Sequence, residues 1–208
     1  FDAMAIGTAG YAAALGIDIM EQNGLTPASG KVVVNGATGG VASLAIDLLA
    51  GRGYQVTAIT GKDSEHEFLK KIGAAEVLSR HTLEMGTRPL EKPMWAGAVD
   101  SLGGEPLAWL TRTMQQGGMI AGIGNAASIE LHTTVFPFIL RGVRLLGVDS
   151  GYTAMATRRK IWERLAADLK PRHLPDIAHT VGFNELPSVL GKVLKAQVRG
   201  RIVVKISG

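Results

Sequence analysis

Short apolar runs alternate with amphipathic segments along most of the chain. The first run, Lys31 to Asn35, follows Pro27 and Gly30, and residues 41–51 then place apolar side chains on one face at helical spacing. Further strands are predicted by runs at Tyr54 to Thr60, Glu76 to Ser79, Ala96 to Leu102, Gly118 to Gly124 and Val143 to Asp149. Because parallel strands need crossover connections, this alternation predicts an α/β fold: a doubly wound Rossmann sheet of six parallel strands in the order 3-2-1-4-5-6.

The segments between these runs carry signals for helix starts and ends. Ser64 and Glu67 form a capping-box pattern ahead of one helix. Pro106 opens the next predicted helix, and the pair Gly117–Gly118 closes it. A short helix is predicted at Val135 to Arg141, just before the sixth strand.

The part of the chain after residue 150 has a different pattern. Its predicted elements are a long helix capped by Thr157, a short strand at Thr180 to Phe183, a helix at Glu185 to Ala196 and a final strand at Arg201 to Ile206. We expect the final strand to lack a partner in the Rossmann sheet and to pair with something outside it. We expect three parts along the chain: a helical segment (1–24), a Rossmann domain (25–150) and C-terminal elements (151–208).

The composition narrows the class of protein. Of the 208 residues, 46% are apolar, which is enough for a sizeable core. No apolar run reaches the roughly 18 residues that a membrane span needs. The chain has no cysteine, so disulfides and thiolate zinc sites are excluded. We therefore expect a soluble, cytoplasmic protein.

The charge pattern indicates the kind of ligand. The net charge of +4 is mild, and its most concentrated run, Arg158–Lys160, is typical of a solvated helix face. Nucleic acid would require a basic stripe with stacking aromatic side chains, whereas only 5% of the residues are aromatic. We expect no nucleic acid and no membrane as partner, and a small polyanionic ligand fits better.

A glycine-rich turn, Thr38–Gly39–Gly40–Val41, joins the first strand to the first helix. Against the pattern G-x-G-x-x-G, Gly39 keeps the second glycine, and Ala37 and Ala42 replace the first and third. The second glycine lets the backbone approach a pyrophosphate, whose charge the helix N-terminus favours. Such turns also occur as simple connectors, but the position between a buried strand and an amphipathic helix favours dinucleotide binding.

The end of the second strand indicates which dinucleotide is bound. An NAD site would place a carboxylate there for the ribose 2′-hydroxyl, whereas this chain has Thr60, Gly61 and Lys62. Lys62 can pair with a 2′-phosphate and Thr60 can donate a hydrogen bond to it, so NADPH is favoured over NADH. The alternative is that Lys62 is an exposed loop lysine without a ligand.

Two other site classes are disfavoured. Short-chain dehydrogenases need Tyr-x-x-x-Lys, but Leu15, Ala58 and Ala156 stand four residues after the three tyrosines. The histidines are dispersed without metal-binding spacing, so no metal site is expected.

Several longer blocks resemble the zinc-independent quinone-oxidoreductase branch of the medium-chain dehydrogenase/reductase superfamily, most closely the NADPH-dependent acrylyl-CoA reductase family. These blocks are Ile6-Gly7-Thr8-Ala9-Gly10-Tyr11, Gly39 to Ser43, Thr60 to Lys62, Arg88-Pro89-Leu90-Glu91-Lys92 with Trp95 to Asp100, Thr134 to Arg141, and Gly147-Val148-Asp149-Ser150. The resemblance spans almost the whole chain.

The resemblance implies roles for residues that match the family. Thr38 to Val41 would hold the pyrophosphate, and Thr60 to Lys62 the 2′-phosphate, although the family commonly has Ser-Gly-Arg at the latter. Thr8, Gly124, Ile139 and Ser150 would lie toward the nicotinamide. Glu76 stands where some members have an arginine near the adenosine.

The resemblance also implies what this chain does. The reaction would be NADPH-dependent reduction of the C=C bond of an acrylyl-CoA-type thioester; the alternatives are a general quinone or enal reductase, or a nucleotide-binding part without its own catalysis. Family members begin with a GroES-like catalytic domain, which we expect this chain to lack. No catalytic residue is assigned, with Asp149 the first candidate for a chemical role and Tyr152 and Arg141 weaker ones. A homodimer through Arg144 to Ser150 is expected by analogy.

Overall fold

The structure, a computed structural model, describes residues 1–206. Its helices are α1 (Asp2–Gln22), α2 (Gly40–Gly51), α3 (His66–Lys71), α4 (Gly104–Thr113), α5 (Phe136–Arg141), α6 (Met155–Ala166), α7 (Leu174–Ile177) and α8 (Leu186–Leu194). Its strands are β1 (Val32–Val34), β2 (Val56–Thr60), β3 (Glu76–Ser79), β4 (Trp95–Asp100), β5 (Met114–Gly122), β6 (Arg144–Gly147), β7 (Ala178–Gly182) and β8 (Arg201–Lys205). The last two residues of the predicted 151–208 segment lie outside the described residues.

Strands β1 to β6 form one parallel sheet in the order β3-β2-β1-β4-β5-β6. The predicted fold class and strand order are therefore confirmed. Strands β1, β2 and β4 are buried along their whole length, as expected for central strands covered on both faces. The order reverses between β1 and β4, which creates a crevice at the carboxyl ends of these strands.

Helix α1 packs against α2 and the sheet, and it changes direction at Gly7, which has φ 47° and ψ −153°. Within residues 1–206 it is the one helix long and apolar enough to cross a membrane, with a mean hydropathy of 1.4 over 18 residues. Thr8 and Asp18 interrupt its apolar residues, so the sequence shows no continuous apolar run of membrane-spanning length here. The rest of the fold buries 72% of that window, which is the behaviour of a core helix.

Three predicted helix signals are wrong. Ser64 lies in a 3-10 turn at Asp63–Glu65, and α3 begins after it at His66 without a side-chain cap. Thr157 lies inside α6, which begins at Met155. Gly117, with φ 68°, sits in an irregular part of β5 rather than at the end of α4. The chain passes directly from Thr113 into β5 because Met114 is already extended.

The C-terminal elements return to the Rossmann sheet's helical layer. Strand β8 pairs in parallel with β7 over five residues, in a separate two-stranded sheet, so the expectation that it lacks a partner in the Rossmann sheet and pairs outside it is confirmed. The fully buried Asp47 of α2 fastens the start of α7: its carboxylate accepts hydrogen bonds from the backbone N–H of Arg172 and of His173, and lies 2.9 Å from Nδ1 of His173. Helices α6 and α7 are thus fixed beside α1 and α2.

Candidate cofactor site

The turn after β1 leads into α2 at the point where the strand order reverses. Gly39 is the N-cap residue of α2, with φ −74° and ψ 162°, and it has no side chain that could bond the first-turn N–H groups. Those N–H groups and the positive end of the helix dipole are suited to bind an anion. Thr38 is buried, whereas Gly39 is exposed at the mouth of the crevice.

A buried polar pair, Asn35 and Asp100, lies at the carboxyl ends of β1 and β4. Nδ2 of Asn35, just after β1, donates a hydrogen bond to the carboxylate of Asp100, the last residue of β4. Asn35 Oδ1 accepts from the N–H of Ser101 at 2.9 Å, and Asp100 accepts from the N–H of Gly103 at 2.9 Å. Burial raises the pKa of Asp100 although these hydrogen bonds oppose the shift. The pair fixes the two loops on either side of the topological switch point.

At the end of β2, the predicted 2′-phosphate residues have partners within the protein. Thr60 is buried, and its Oγ1 accepts a hydrogen bond from the N–H of Lys62 at 2.9 Å. Nζ of Lys62 donates to the carbonyl of Val198 at 2.8 Å. Because an ammonium has three N–H donors, two remain for a ligand.

Sequence reasoning missed Arg80, which follows β3. Its guanidinium lies over Gly61, so a Cβ at Gly61 would come within 2.9 Å of Nη2 of Arg80. Its N–H donates to the carbonyl of Thr60 at 2.7 Å. The available signal was the parallel pairing of β2 and β3, which puts the residue after Ser79 beside the residue after Thr60. A second cation therefore stands beside Lys62.

Sequence reasoning also missed the segment before β8, which passes over the phosphate turn. The N–H of Gly200 donates to the carbonyl of Thr38 at 2.9 Å, and a Cβ at Gly40 would be in tight contact with this segment, 3.0 Å from Cδ of Arg201. Arg201 Nε donates to the carbonyl of Ala5 at 3.0 Å. Burial lowers the pKa of Arg201, and no carboxylate within residues 1–206 forms an ion pair with it. This half-buried cation thus lies beside an uncapped helix N-terminus.

The residues expected near the nicotinamide lie on different elements. Thr8 is exposed and directly follows the kink in α1. Gly124 and Ser150 follow β5 and β6 at the carboxyl edge, and a Cβ at Gly124 would lie 2.6 Å from the carbonyl oxygen of Ser101. Ile139 is 68% exposed on α5, whose last residue, Arg141, bonds the carbonyl of Met114 at the amino end of β5. The assignment of Ile139 to the nicotinamide side stays a prediction.

The three candidates for a chemical role, Asp149, Tyr152 and Arg141, have the following positions. Oδ1 of Asp149 accepts from the N–H groups of Gly151 and Tyr152 and closes a local turn. The side chain of Tyr152 is 95% exposed, and the guanidinium of Arg141 donates to the carbonyls of Glu91, Arg112 and Met114. The one contact between two of these candidates is the backbone N–H of Tyr152 on Asp149, and within residues 1–206 no hydrogen bond joins two of their side chains. Within residues 1–206, no three His, Cys, Asp or Glu side chains are grouped as a metal ion would require.

The sequence matches a known protein family. Residues 40–167 match the family described as zinc-binding dehydrogenase. The chain is 43% identical over 206 residues to the acrylyl-CoA reductase AcuI of Ruegeria pomeroyi, covering 99% of this chain and 62% of that protein. It therefore spans less than two thirds of the length of this relative.

Two solved structures are similar over nearly the whole chain. The YhdH protein of Escherichia coli K-12, solved with bound NADPH, is 44% identical with a TM-score of 0.94 and matches 99% of this chain and 63% of its own. The YhfP protein of Bacillus subtilis, solved with bound NAD, is 46% identical with a TM-score of 0.94 and matches 98% and 63% respectively.

Proposed function

Since the chain belongs to the zinc-binding dehydrogenase family, we propose that it is the cofactor-binding part of an NADPH-dependent reductase of α,β-unsaturated acyl-CoA thioesters. The observation that carries this proposal is a glycine-capped helix N-terminus with Arg201 beside it, together with two further cations, Lys62 and Arg80, at the end of the neighbouring strand β2. Cations assembled beside an uncapped helix N-terminus suit a ligand with several phosphates.

The pyrophosphate end of the proposed cofactor fits the turn Thr38 to Val41. The backbone N–H groups at the start of α2 would donate to its oxygens. The half-buried guanidinium of Arg201 would pair with its negative charge. This arrangement is shared by NADPH and NADH, so it does not choose between them.

The 2′-phosphate end fits Thr60, Gly61 and Lys62 together with Arg80. The nearby carboxylates have partners of their own: Glu65 pairs with Arg199 at 3.1 Å, and Asp63 lies 3.6 Å from Nε2 of His66. Glu76 of β3 is bonded to Lys31 at 3.0 Å and to Thr57 at 3.2 Å. These two bonds lower its pKa, since they favour the charged carboxylate, although burial opposes the shift. Two cations beside carboxylates that have their own partners favour NADPH, and the NADPH-bound relative supports this choice.

When bound, the reduced nicotinamide supplies the hydride for the β-carbon of the substrate alkene. Thr8, Gly124 and Ser150 would border the nicotinamide at the carboxyl edge and keep it oriented toward the substrate. Orientation of this kind accounts for a large part of the rate in such reactions. We assign no proton donor to this chain.

The substrate class rests on the relative named as an acrylyl-CoA reductase. A general quinone reductase is the second candidate, favoured by YhfP of Bacillus subtilis, which carries a quinone oxidoreductase name and is 46% identical. The third possibility, a nucleotide-binding part without catalysis of its own, follows from the coverage, since 62% of AcuI is matched here.

The proposal includes a partner domain for an exposed apolar surface. Helix α8 exposes Leu190, Val193 and Leu194, the last at 88%, and Phe183 lies just before it. We propose that a GroES-like catalytic domain covers this face and forms the other wall of the cleft. A full-length protein of the relatives' size would supply that domain. The three-part division at residues 24 and 150 belongs to the same proposal.

The proposal also includes a homodimer through β6, which is an edge strand of the sheet. Leu145 of β6 and the neighbouring Phe136, Ile139 and Leu140 of α5 are exposed apolar residues that a second copy would cover. An unpaired edge with adjacent apolar side chains favours pairing with another chain. We further propose zinc-independent catalysis and a cytoplasmic location.

Calorimetric titration of the chain with NADPH, NADH and 2′,5′-ADP tests cofactor binding. We expect NADPH to bind more tightly than NADH and 2′,5′-ADP to bind detectably; equal affinities for NADPH and NADH would overturn the NADPH assignment. Absorbance loss of NADPH with acrylyl-CoA or a quinone then tests the reaction and compares the substrate classes. Cofactor binding without turnover of either substrate would leave the chain as a cofactor-binding part only.

A further inference from the structure

Arg158 of α6 contacts two elements that border the proposed nicotinamide position. Its Nη2 donates a hydrogen bond of 2.8 Å to the carbonyl of Ser150, in the loop after β6. Its guanidinium carbon lies 4.4 Å from the ring centroid of Tyr11 on α1. Tyr11 stands three residues after Thr8, so both lie on the same side of the helix. One side chain thus joins the turn that carries Thr8 to the loop that carries Ser150.

The aromatic ring under Arg158 is itself held in place. Tyr11 is 1% exposed and stacks on Trp162 with ring centroids 6.4 Å apart and an interplanar angle of 21°. Arg158 and Trp162 are one helical turn apart on α6 and contact the same ring. Stacking on a buried ring restricts the guanidinium, which is planar and pre-organised for this contact.

Neighbouring cations on α6 behave differently. Lys160 and Arg164 both pair with the buried carboxylate of Asp18, at 3.0 and 2.8 Å, and so tie α6 to α1. Arg158 instead contacts a neutral carbonyl and a ring. Arg159 is exposed on the solvent side of the same turn. The ion pairs of Lys160 and Arg164 therefore hold α6 against α1. The hydrogen bond of Arg158 instead holds the loop at Ser150.

We infer that Arg158 is a positioning residue for the nicotinamide half of the cofactor, acting through Ser150 and the α1 turn that carries Thr8. This inference rests on the proposed function. The guanidinium holds the Ser150 loop at a fixed distance from α1 and so sets the width of the nicotinamide position. The adenosine half would lie by β2, whereas the contacts of Arg158 are with Ser150 and Tyr11.

The test compares Arg158→Met with the matched control Arg159→Met in titrations with NADPH and with 2′,5′-ADP, which lacks the nicotinamide half. We expect Arg158→Met to weaken NADPH binding by about threefold to tenfold, the range for one well-placed hydrogen bond, and to leave 2′,5′-ADP unchanged. Arg159→Met should bind both ligands as the parent chain does. Arg158→Lys should restore part of the loss because lysine can make only one of the two contacts.

Other outcomes overturn the inference in distinguishable ways. Equal weakening of NADPH and 2′,5′-ADP would mean a general structural role, and unchanged NADPH binding would mean no role in positioning. If the parent chain binds neither ligand, the proposed function itself fails. Should Arg158→Met unfold below the working temperature, the same comparison with Arg158→Lys decides, because that variant retains the charge and the aliphatic stem.

Discussion

The ammonium group of Lys62 bonds the carbonyl oxygen of Val198 at 2.8 Å, across 136 residues of sequence. This contact ties the end of β2 to the segment that leads into β8. Arg199, the next residue of that segment, pairs with Glu65 at 3.1 Å and lies 4.3 Å from the ring centroid of Phe68. The C-terminal segment is therefore a wall of the proposed cofactor site, and the position of Lys62 depends on it.

Lys62→Ala should weaken NADPH binding much more than NADH binding. A hydrogen bond to a charged group contributes roughly 1.5–3 kcal/mol, so a loss of about tenfold to a hundredfold is expected for NADPH alone. Calorimetric titration with both cofactors measures this difference. Lys70→Ala, on the exposed side of α3, is the control. Equal losses for NADPH and NADH would refute the 2′-phosphate assignment of Lys62.

Arg201→Met should have opposite effects on binding and stability. The guanidinium is desolvated and lacks a carboxylate partner within the described residues 1–206, so its replacement should leave the unfolding midpoint unchanged or raise it. Affinity for NADPH and NADH should fall by similar factors, because both carry the pyrophosphate. Thermal unfolding and titration of the same sample check both signs. A lowered unfolding midpoint with intact cofactor affinity would make Arg201 a purely structural residue.

Asp100→Asn should change how stability depends on pH. Burial raises the pKa of Asp100 in the folded chain above its ordinary value of 3.8, so the folded state binds its proton more tightly than the unfolded state. The stability from this group is therefore complete below pH 3.8 and is lost as pH rises through the raised pKa.

Urea unfolding of the parent chain and Asp100→Asn at several pH values measures this effect. Other carboxylates, such as Asp168, have a pKa lowered by Arg164 and contribute with the opposite sign, but they contribute equally to both proteins. The stability of the parent chain relative to the variant should fall as pH rises above 3.8. A difference that is constant with pH, or that increases, would contradict the raised pKa.

Tyr11→Phe should be neutral or stabilising. The hydroxyl of Tyr11 is buried without a hydrogen-bond partner within residues 1–206, and an unsatisfied polar group of this kind costs roughly 1–3 kcal/mol. The ring that stacks on Trp162 and Arg158 is retained, so NADPH affinity should not change. Tyr11→Ala removes the ring as well and should cost roughly 3–5 kcal/mol, as for other large aromatic residues. A destabilised Tyr11→Phe would mean that the hydroxyl has a partner.

Two blocks that carry the family resemblance meet in the structure. Arg141, the last residue of the block Thr134 to Arg141, donates to the carbonyl of Glu91 in the block Arg88 to Lys92. Glu91 in turn donates its N–H to the carbonyl of Arg112 and accepts from Arg88 at 2.7 Å. The blocks therefore share one structural task, fixing α5 and the edge strand β6 to the loop before β4, which no separate inspection of either block indicates.

The order of the six strands followed from the alternation of apolar runs and amphipathic segments, because parallel strands leave few possible connections. The glycine-rich turn was predicted from local sequence, because Gly39 stands between an apolar run and an amphipathic segment, and α2 does begin directly after it. Its role in phosphate binding stays a prediction.

Contacts between distant segments were decided only by the tertiary structure. The strand partner of β8, the position of Arg80 over Gly61 and the bonds from Gly200 and Lys62 each join residues whose spacing in sequence carries no periodic signal. Local rules also failed where the chain had competing choices, as at Ser64, where a 3-10 turn took the residues of the capping box. Sequence by itself therefore determined the sheet and the glycine-rich turn before α2, through local pattern and chirality. The positions of the cations Arg80, Lys62 and Arg201 were decided only by tertiary packing. They depend on how β3 pairs with β2 and on how the C-terminal segment folds back over the sheet.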